Sequence, residues 1–224
     1  MKISSLKKPK PYRGLGMEGM IATWYAKNTG KSIAEFRDLA KRIADGLSSG
    51  DRVLEVAPGP GYLSIELARL GPYQITGLDV GRTFVRIARD NAARAGVQVD
   101  FQKGDAAALP FDTDAFDFII CRAALKNFSD PVGAVREMHR VLRSGGKAMI
   151  IDMRNDASSK SIIDEVAKMH LGRIDALLTR TTLSALRRRA FSRQDLERMA
   201  QATPFGRCDI VEQALGFEVT LVKS

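Results

Sequence analysis

The chain has 224 residues, 45% of them apolar and 27% charged, the composition of one ordinary folded domain, which excludes wholesale disorder. No apolar run is long enough to span a bilayer. The two cysteines, Cys121 and Cys208, lie far apart with no Cys/His cluster beside them, so neither a disulfide framework nor a zinc or other metal site is expected. The net charge is +9, and its excess is local: residues 1–50 hold ten Lys/Arg against four Asp/Glu, with one further run at Arg187-Arg188-Arg189. Such a field suits phosphates, anionic head groups or an acidic small substrate. Aromatic residues are not interleaved with the basic ones as stacking on nucleic acid requires, so a solvated tail and helix face are expected and nucleic acid is not an expected partner. Residues 1–11 carry lysines without an apolar h-region or a cleavage site, which argues against a secretory leader and for a cytoplasmic setting.

In chain order, Met17 to Lys27 places Met17, Met20, Ile21, Trp24 and Tyr25 near helical spacing. Ser32 to Leu47 reads as an amphipathic helix with Ile33, Phe36, Leu39, Ala40, Ile43 and Leu47 on one face and a Ser32/Glu35 capping box. Short apolar runs then alternate with helical stretches. Strands are expected at 53–57, 74–78, 97–102, 116–121 and 146–152, with helices at 62–70, 83–95 and 131–142. This alternation predicts an α/β, doubly wound, mostly parallel sheet with right-handed crossovers. Residues 158–190 break the rhythm as a helical insertion, Ser192 caps a helix over 193–202, and two short β-runs, 208–213 and 217–222, predict a terminal antiparallel pair.

The most informative segment is Val53-Leu-Glu-Val-Ala-Pro-Gly-Pro-Gly-Tyr62. A strand runs into Gly59-Pro60-Gly61 and a helix follows at once. Glycines there let the backbone turn sharply and approach a ligand outside the carboxyl edge of the sheet. Asp79 ends the second strand, where a carboxylate can accept both hydroxyls of a ribose, and Asp105 follows the third. The alternative is that both are plain turn residues. No Gly-Lys-Ser/Thr follows the glycines, which excludes a P-loop, and Ser64 stands where a dinucleotide fingerprint has its third Gly or Ala. Glu55 brings a negative charge to the turn, which suits an ammonium or sulfonium ligand better than a pyrophosphate.

These residues resemble the class I S-adenosylmethionine-dependent methyltransferases over roughly residues 50–153. The likeness rests on Val53–Gly61, Gly77-Leu-Asp79, Gly104-Asp-Ala-Ala-Ala-Leu-Pro-Phe111, Phe116–Cys121 and Arg140-Val-Leu-Arg-Ser-Gly-Gly-Lys147. Within that family, Ala124-Leu-Lys-Asn-Phe128 resembles a segment of the ubiquinone/menaquinone C-methyltransferases. The resemblance implies a Rossmann-like, seven-stranded sheet with an antiparallel terminal strand. It also implies N-terminal cap helices and a basic tail over 1–48, and a methyltransferase domain over 49–224 with a helical lid at about 156–191.

It further implies S-adenosyl-L-methionine as cofactor and methyl transfer to a small organic acceptor. Glu55, Ala57, Gly59, Pro60 and Gly61 would hold its methionine part, Asp79 its ribose, and Val80, Asp105 and Ala106 would frame the adenine. Arg122 would line the floor, and Tyr25 would close over the cofactor unless it is a core aromatic. Ala57 departs from the family's usual first glycine, and Lys126 from its His or Arg. No catalytic base stands out. Lys126, Asn127, Asp152 and His170 are the residues placed to touch the acceptor, with capping by Asp152 and packing by His170 as the alternatives. An RNA methyltransferase using the basic N-terminus, or a cofactor-binding regulatory module, are the competing functions.

Overall fold

The computed structural model of the chain describes residues 12, 13, 18–168 and 172–224. The strands are β1 Arg52–Val56, β2 Gln74–Asp79, β3 Asp100–Lys103, β4 Phe116–Arg122, β5 Leu142–Met153, β6 Asp209–Glu212 and β7 Gly216–Val222. They form one sheet in the order β3-β2-β1-β4-β5-β7-β6. All neighbours from β3 to β5 are parallel, while β7 runs antiparallel to both β5 and β6. β1 lies in the middle of the five parallel strands and buries Val53, Leu54 and Val56, as a strand covered on both faces must.

The helices are α1 Gly19–Thr29, α2 Ile33–Ala44, α3 Tyr62–Ala68, α4 Arg82–Ala95, α5 Pro131–Val141, α6 Ser159–Lys168, α7 Arg173–Arg187 and α8 Arg193–Gln201. The period-2 alternation of the strands assigns them to two layers. Val53, Ile75, Phe118 and Ile120 pack against Phe36, Leu39 and Ile43 of α2 and Leu63 and Leu67 of α3. Phe101 of β3 joins Ile65 and the α4 residues Val85, Ala88 and Ala92. On the other face Leu54, Ile119, Cys121 and Ile150 meet Val135 and Met138 of α5 and Leu196 and Met199 of α8. The chain builds outward from β1 to β3, then returns to lay β4 on β1's other side. The strand order reverses there, so a crevice opens beyond the carboxyl ends of β1 and β4.

Local chemistry explains where the elements differ from the sequence expectation. Gly96 ends α4 in the left-handed conformation, and the Val97 N–H closes on the Ala92 carbonyl. That Schellman-type ending consumes Val97, so β3 starts at Asp100. The expected Ser32/Glu35 capping box does not form. Ser32 belongs to a 3-10 turn, Gly30–Ser32, that runs straight into α2, and its side chain makes no cap bond. A true box does cap α8, where Ser192 and Asp195 satisfy each other's backbone N–H groups. In α1 the apolar set splits: Tyr25 packs inward on Phe84, Met20, Ile21 and Trp24 face outward, and the buried residues are Ala22 and Ala26, while Met17 lies outside the described residues.

Gly61 has φ +79°, and a Cβ there would stand 2.6 Å from Phe101 Cζ and 3.0 Å from Ala88 Cβ. Gly61→Ala combines a left-handed backbone penalty with overpacking and is expected to cost about 2–4 kcal/mol in urea unfolding. Ala57 holds φ +58° four residues earlier; Ala57→Gly relieves the same kind of strain and should raise the urea midpoint by the equivalent of about 1 kcal/mol.

Candidate functional site

The turn between β1 and α3 is set by backbone conformation. Ala57, Gly59 and Gly61 all have positive φ, and the Ala57 N–H reaches the Leu78 carbonyl of β2 at 2.8 Å. Gly61 N–H closes on the Pro58 carbonyl at 3.0 Å, and Asn91 of α4 steadies the loop from outside by donating to the Pro60 carbonyl at 2.8 Å. The space over Gly59 stays open: a Cβ there would meet only Tyr25 Cε1, at 3.9 Å. Tyr25 descends from α1 over the turn and packs edge-on against Phe84.

Asp79 ends β2 beside this turn and is 6% exposed. Its Oδ2 accepts the Gly59 N–H at 3.1 Å and its Oδ1 the Gly81 N–H at 2.8 Å. Burial pushes its carboxyl up, against the pull of those two amides. Each oxygen retains lone-pair capacity beyond its amide bond. Val80 follows half-buried. Asp105 reaches the same rim through the loop after β3, where its Oδ1 accepts the Ala107 N–H at 3.0 Å and Ala106 packs against the core. That loop is braced by Glu137, which accepts the Leu109 N–H, and by Arg140, which donates to the Leu109 and Phe111 carbonyls.

Glu55, 4% exposed, spends one carboxylate oxygen, Oε2, on α3: it accepts the Ser64 N–H at 3.0 Å and the Ser64 hydroxyl. The expected charge at the turn is therefore anchored in the first turn of α3. Desolvation raises its carboxyl to about 7, against the Ser64 hydrogen bonds and the nearby Arg122. Arg122 carries its guanidinium to α2, 4.5 Å above the Phe36 ring and 3.5 Å from Glu35.

Of the expected acceptor contacts, Lys126 and Asp152 turn toward each other. Both are nearly closed to solvent, and Nζ meets Oδ1 at 2.7 Å. Lys126 Nζ also donates to the Ala123 carbonyl, while Asp152 accepts the Lys126 and Met153 N–H groups. The pair thus ties the loop after β4 to the end of β5, which matches the capping alternative for Asp152 and removes both as free acceptor contacts. Asn127 lies in the 3-10 turn Leu125–Asn127, and its carbonyl accepts the Arg13 N–H at 2.6 Å. His170 lies outside the described residues.

Sequence reading missed Ser64, Asn91 and Glu18. Glu18 caps α4 from 64 residues away, accepting the Arg82 and Thr83 N–H groups at 2.8 and 3.0 Å. The Thr83 hydroxyl, first among the causes, holds its carboxyl below the usual range. A missing Ser/Asp cap before α4, where Gly81 stands, was the one available signal. A shallow groove of about 640 Å³ opens at the opposite rim, between the starts of β2 and β3 and the end of α4. It lies away from the glycine turn and the carboxylates. Among the described residues no His/Cys/Asp/Glu group could hold a metal ion, and no helix is long and apolar enough to cross a membrane.

Residues 54–150 match the methyltransferase-domain family. The chain is 36% identical over 148 residues to the Bacillus subtilis protein named Uncharacterized methyltransferase YcgJ, covering 64% of this chain and 56% of that one. It is 32% identical over 117 residues to the ubiquinone/menaquinone biosynthesis C-methyltransferase UbiE of a Marinomonas species, covering 50% and 47%. The chain thus spans about half the length of these curated relatives. A Methanococcus maripaludis structure assigned as an S-adenosyl-L-methionine-dependent methyltransferase superposes with a TM-score of 0.76 over 95% of this chain and 96% of that one, at 22% identity.

Two predictions follow from the buried charges. Between pH 4.5, the ordinary glutamate value, and about 7, the folded chain keeps a proton on Glu55 that the unfolded chain has released. Rising pH in that window therefore lowers stability, by on the order of 3 kcal/mol in all. Denaturant titrations at several pH values should show that loss shrinking in Glu55→Gln. Lys126→Met strands the Asp152 charge and should cost about 3–5 kcal/mol, part of which Asp152→Asn restores in the same chain.

Proposed function

We propose that this chain, whose residues 54–150 match the methyltransferase-domain family, is a class I S-adenosylmethionine-dependent methyltransferase and moves the cofactor's methyl group onto a small organic acceptor. The observation that carries the reading is the coincidence of an open, left-handed glycine turn with the Asp79 carboxylate that holds its central amide. The residues fit the cofactor. The open space over Gly59 lies at the switch point of the sheet, a carboxylate with remaining lone pairs ends the neighbouring strand, and Tyr25 hangs above.

In this reading Asp79 accepts the ribose hydroxyls with the capacity its two amides leave, and the Ala57–Gly61 backbone supports the methionine part. Glu55 faces the ammonium with the oxygen not committed to Ser64. Val80, Asp105 and Ala106 frame the adenine, and Tyr25 closes the site from α1. The bound cofactor supplies an electrophilic methyl on a sulfonium. The chain's own contribution is alignment: in-line displacement needs donor and acceptor held near attack distance in a site cleared of water. Arg122 reaches the cofactor only by leaving Phe36 and Glu35, so its part is to position α2 against the rim.

In the same reading the N-terminal helices α1 and α2 serve as a cap and the helical segment at about 156–191, which contains α6 and α7, as a lid. The α6–α7 pair follows directly from the carboxyl end of β5, and the Arg187 guanidinium fastens its base by donating to the Ala157 carbonyl at 2.6 Å. The activity for which the UbiE relatives are named, C-methylation in ubiquinone and menaquinone biosynthesis, and the exposed apolar residues Ile163 and Leu177 on this pair favour an apolar acceptor.

Asp79→Ala should weaken S-adenosylmethionine binding by more than about tenfold in calorimetry, because two hydroxyls lose a charged acceptor. A purely structural clip would instead lower the unfolding midpoint and leave the affinity of the folded protein unchanged.

A further inference from the structure

α1 turns three of its large apolar residues outward. Its buried residues are alanines, Ala22 and Ala26, whereas Met20 is 89% exposed, Trp24 67% and Ile21 48%. Met20 and Trp24 stand one helical turn apart, so they share a face, with Ile21 beside them. Single exposed apolar residues are ordinary, but three large ones within two turns of a helix that is otherwise docked form a patch.

The surroundings are cationic. α1 itself has no acidic residue. Residues 1–31 contain Lys2, Lys7, Lys8, Lys10, Arg13, Lys27 and Lys31 against Glu18 alone. Glu18 is bound to the N-terminus of α4 and offsets little of that field.

We infer that the outer face of α1 is a docking surface for an anionic membrane, with Trp24, Met20 and Ile21 entering the head-group region and the flanking lysines holding acidic lipids. Tryptophan, with its apolar body and polar N–H, suits that interface. Apolar side chains on a basic helix lying in the membrane plane bind by buried area plus attraction to anionic lipid. A single exposed tryptophan beside methionine and isoleucine does not make the row of aromatic platforms on which a single-stranded nucleic acid stacks its bases. Because α1 carries Tyr25 over Gly59, a membrane seated on this face lies beside the carboxyl rim of the sheet.

Trp24 is the chain's only tryptophan, so its fluorescence reports this face directly. The full chain would be mixed with phosphatidylcholine vesicles, alone or with roughly 30% phosphatidylglycerol, and followed by emission and co-sedimentation. The expected result is a blue shift and sedimentation with the anionic vesicles, both reduced at about 0.5 M salt. Met20→Ser with Ile21→Ser should weaken vesicle binding by on the order of tenfold with an unchanged far-ultraviolet spectrum, since both side chains are exposed. No shift with anionic vesicles would overturn the inference, as would undiminished vesicle binding by the double variant, which would assign the effect to the basic tail alone. A dimer seen by ultracentrifugation without lipid and lost in the double variant would overturn it in favour of a second copy. Tighter binding to a single-stranded RNA than to anionic vesicles would overturn it in favour of nucleic acid. Calorimetry with S-adenosylmethionine, run separately, keeps this result distinct from the enzymatic reading.

Discussion

The left-handed turn after β1 is the constraint from which the rest of the molecule takes its shape. Three residues between Ala57 and Gly61 have positive φ, a conformation that local interactions disfavour everywhere but at glycine. The turn persists because it is held from several sides. β2 receives the Ala57 N–H, Asp79 receives the Gly59 N–H, and Asn91 grips the Pro60 carbonyl. Phe101 occupies the volume that a side chain at position 61 would need. The supports come from β2, β3 and α4, so the fold must be nearly complete before the loop can be correct.

The same rim concentrates charge where water is scarce. Glu55, Asp79, Lys126 and Asp152 are all buried at or near the carboxyl ends of the four central parallel strands. Three of them are neutralised or hydrogen-bonded by nearby groups in ways that fix loops: Asp79 the glycine turn, and Lys126 with Asp152 the segment after β4. Glu55 is anchored to Ser64 of α3, and burial, which also raises Asp79, carries its carboxyl up to about 7. A group of that kind responds to whatever cation comes to lie beside it.

Much of this architecture was legible in the residues. Strand–helix alternation located the five parallel strands, because buried parallel strands are rich in apolar residues and their helices one-sided, and two short β-runs after the helical insertion located the antiparallel pair. The carboxylate ending β2 and the glycine turn were legible because each depends on a short segment. What escaped was everything that depends on two distant segments meeting. Nothing near Gly81 says that Glu18 will cap α4. Nothing near Lys126 says that Asp152 will lie within bonding distance. Ser32 has the right residue three positions on for a capping box, yet a 3-10 turn gives it the wrong backbone. The split of α1 shows the limit most clearly: helical spacing of large apolar residues marks a face, but close approach to α4 is won by alanine, and Met20, Ile21 and Trp24 are left outside.

The anchoring of Tyr12, Arg13 and Glu18 has a practical side. Arg13 binds the Asn127 carbonyl and Tyr12 bridges to Phe128, while Glu18 is fastened to α4. The chain is therefore pinned on both flanks of the crevice. β7, by contrast, runs back so that Val222 pairs with Lys147, and Lys223 bonds Gly146 and Asp114 at the far end of the sheet. A bulky label attached at Tyr12 or Arg13 would crowd the mouth of the crevice, whereas one attached at Lys223 would hang from the opposite pole. Recombinant versions of this protein that differ only in which of these positions is labelled are thus not interchangeable for ligand work.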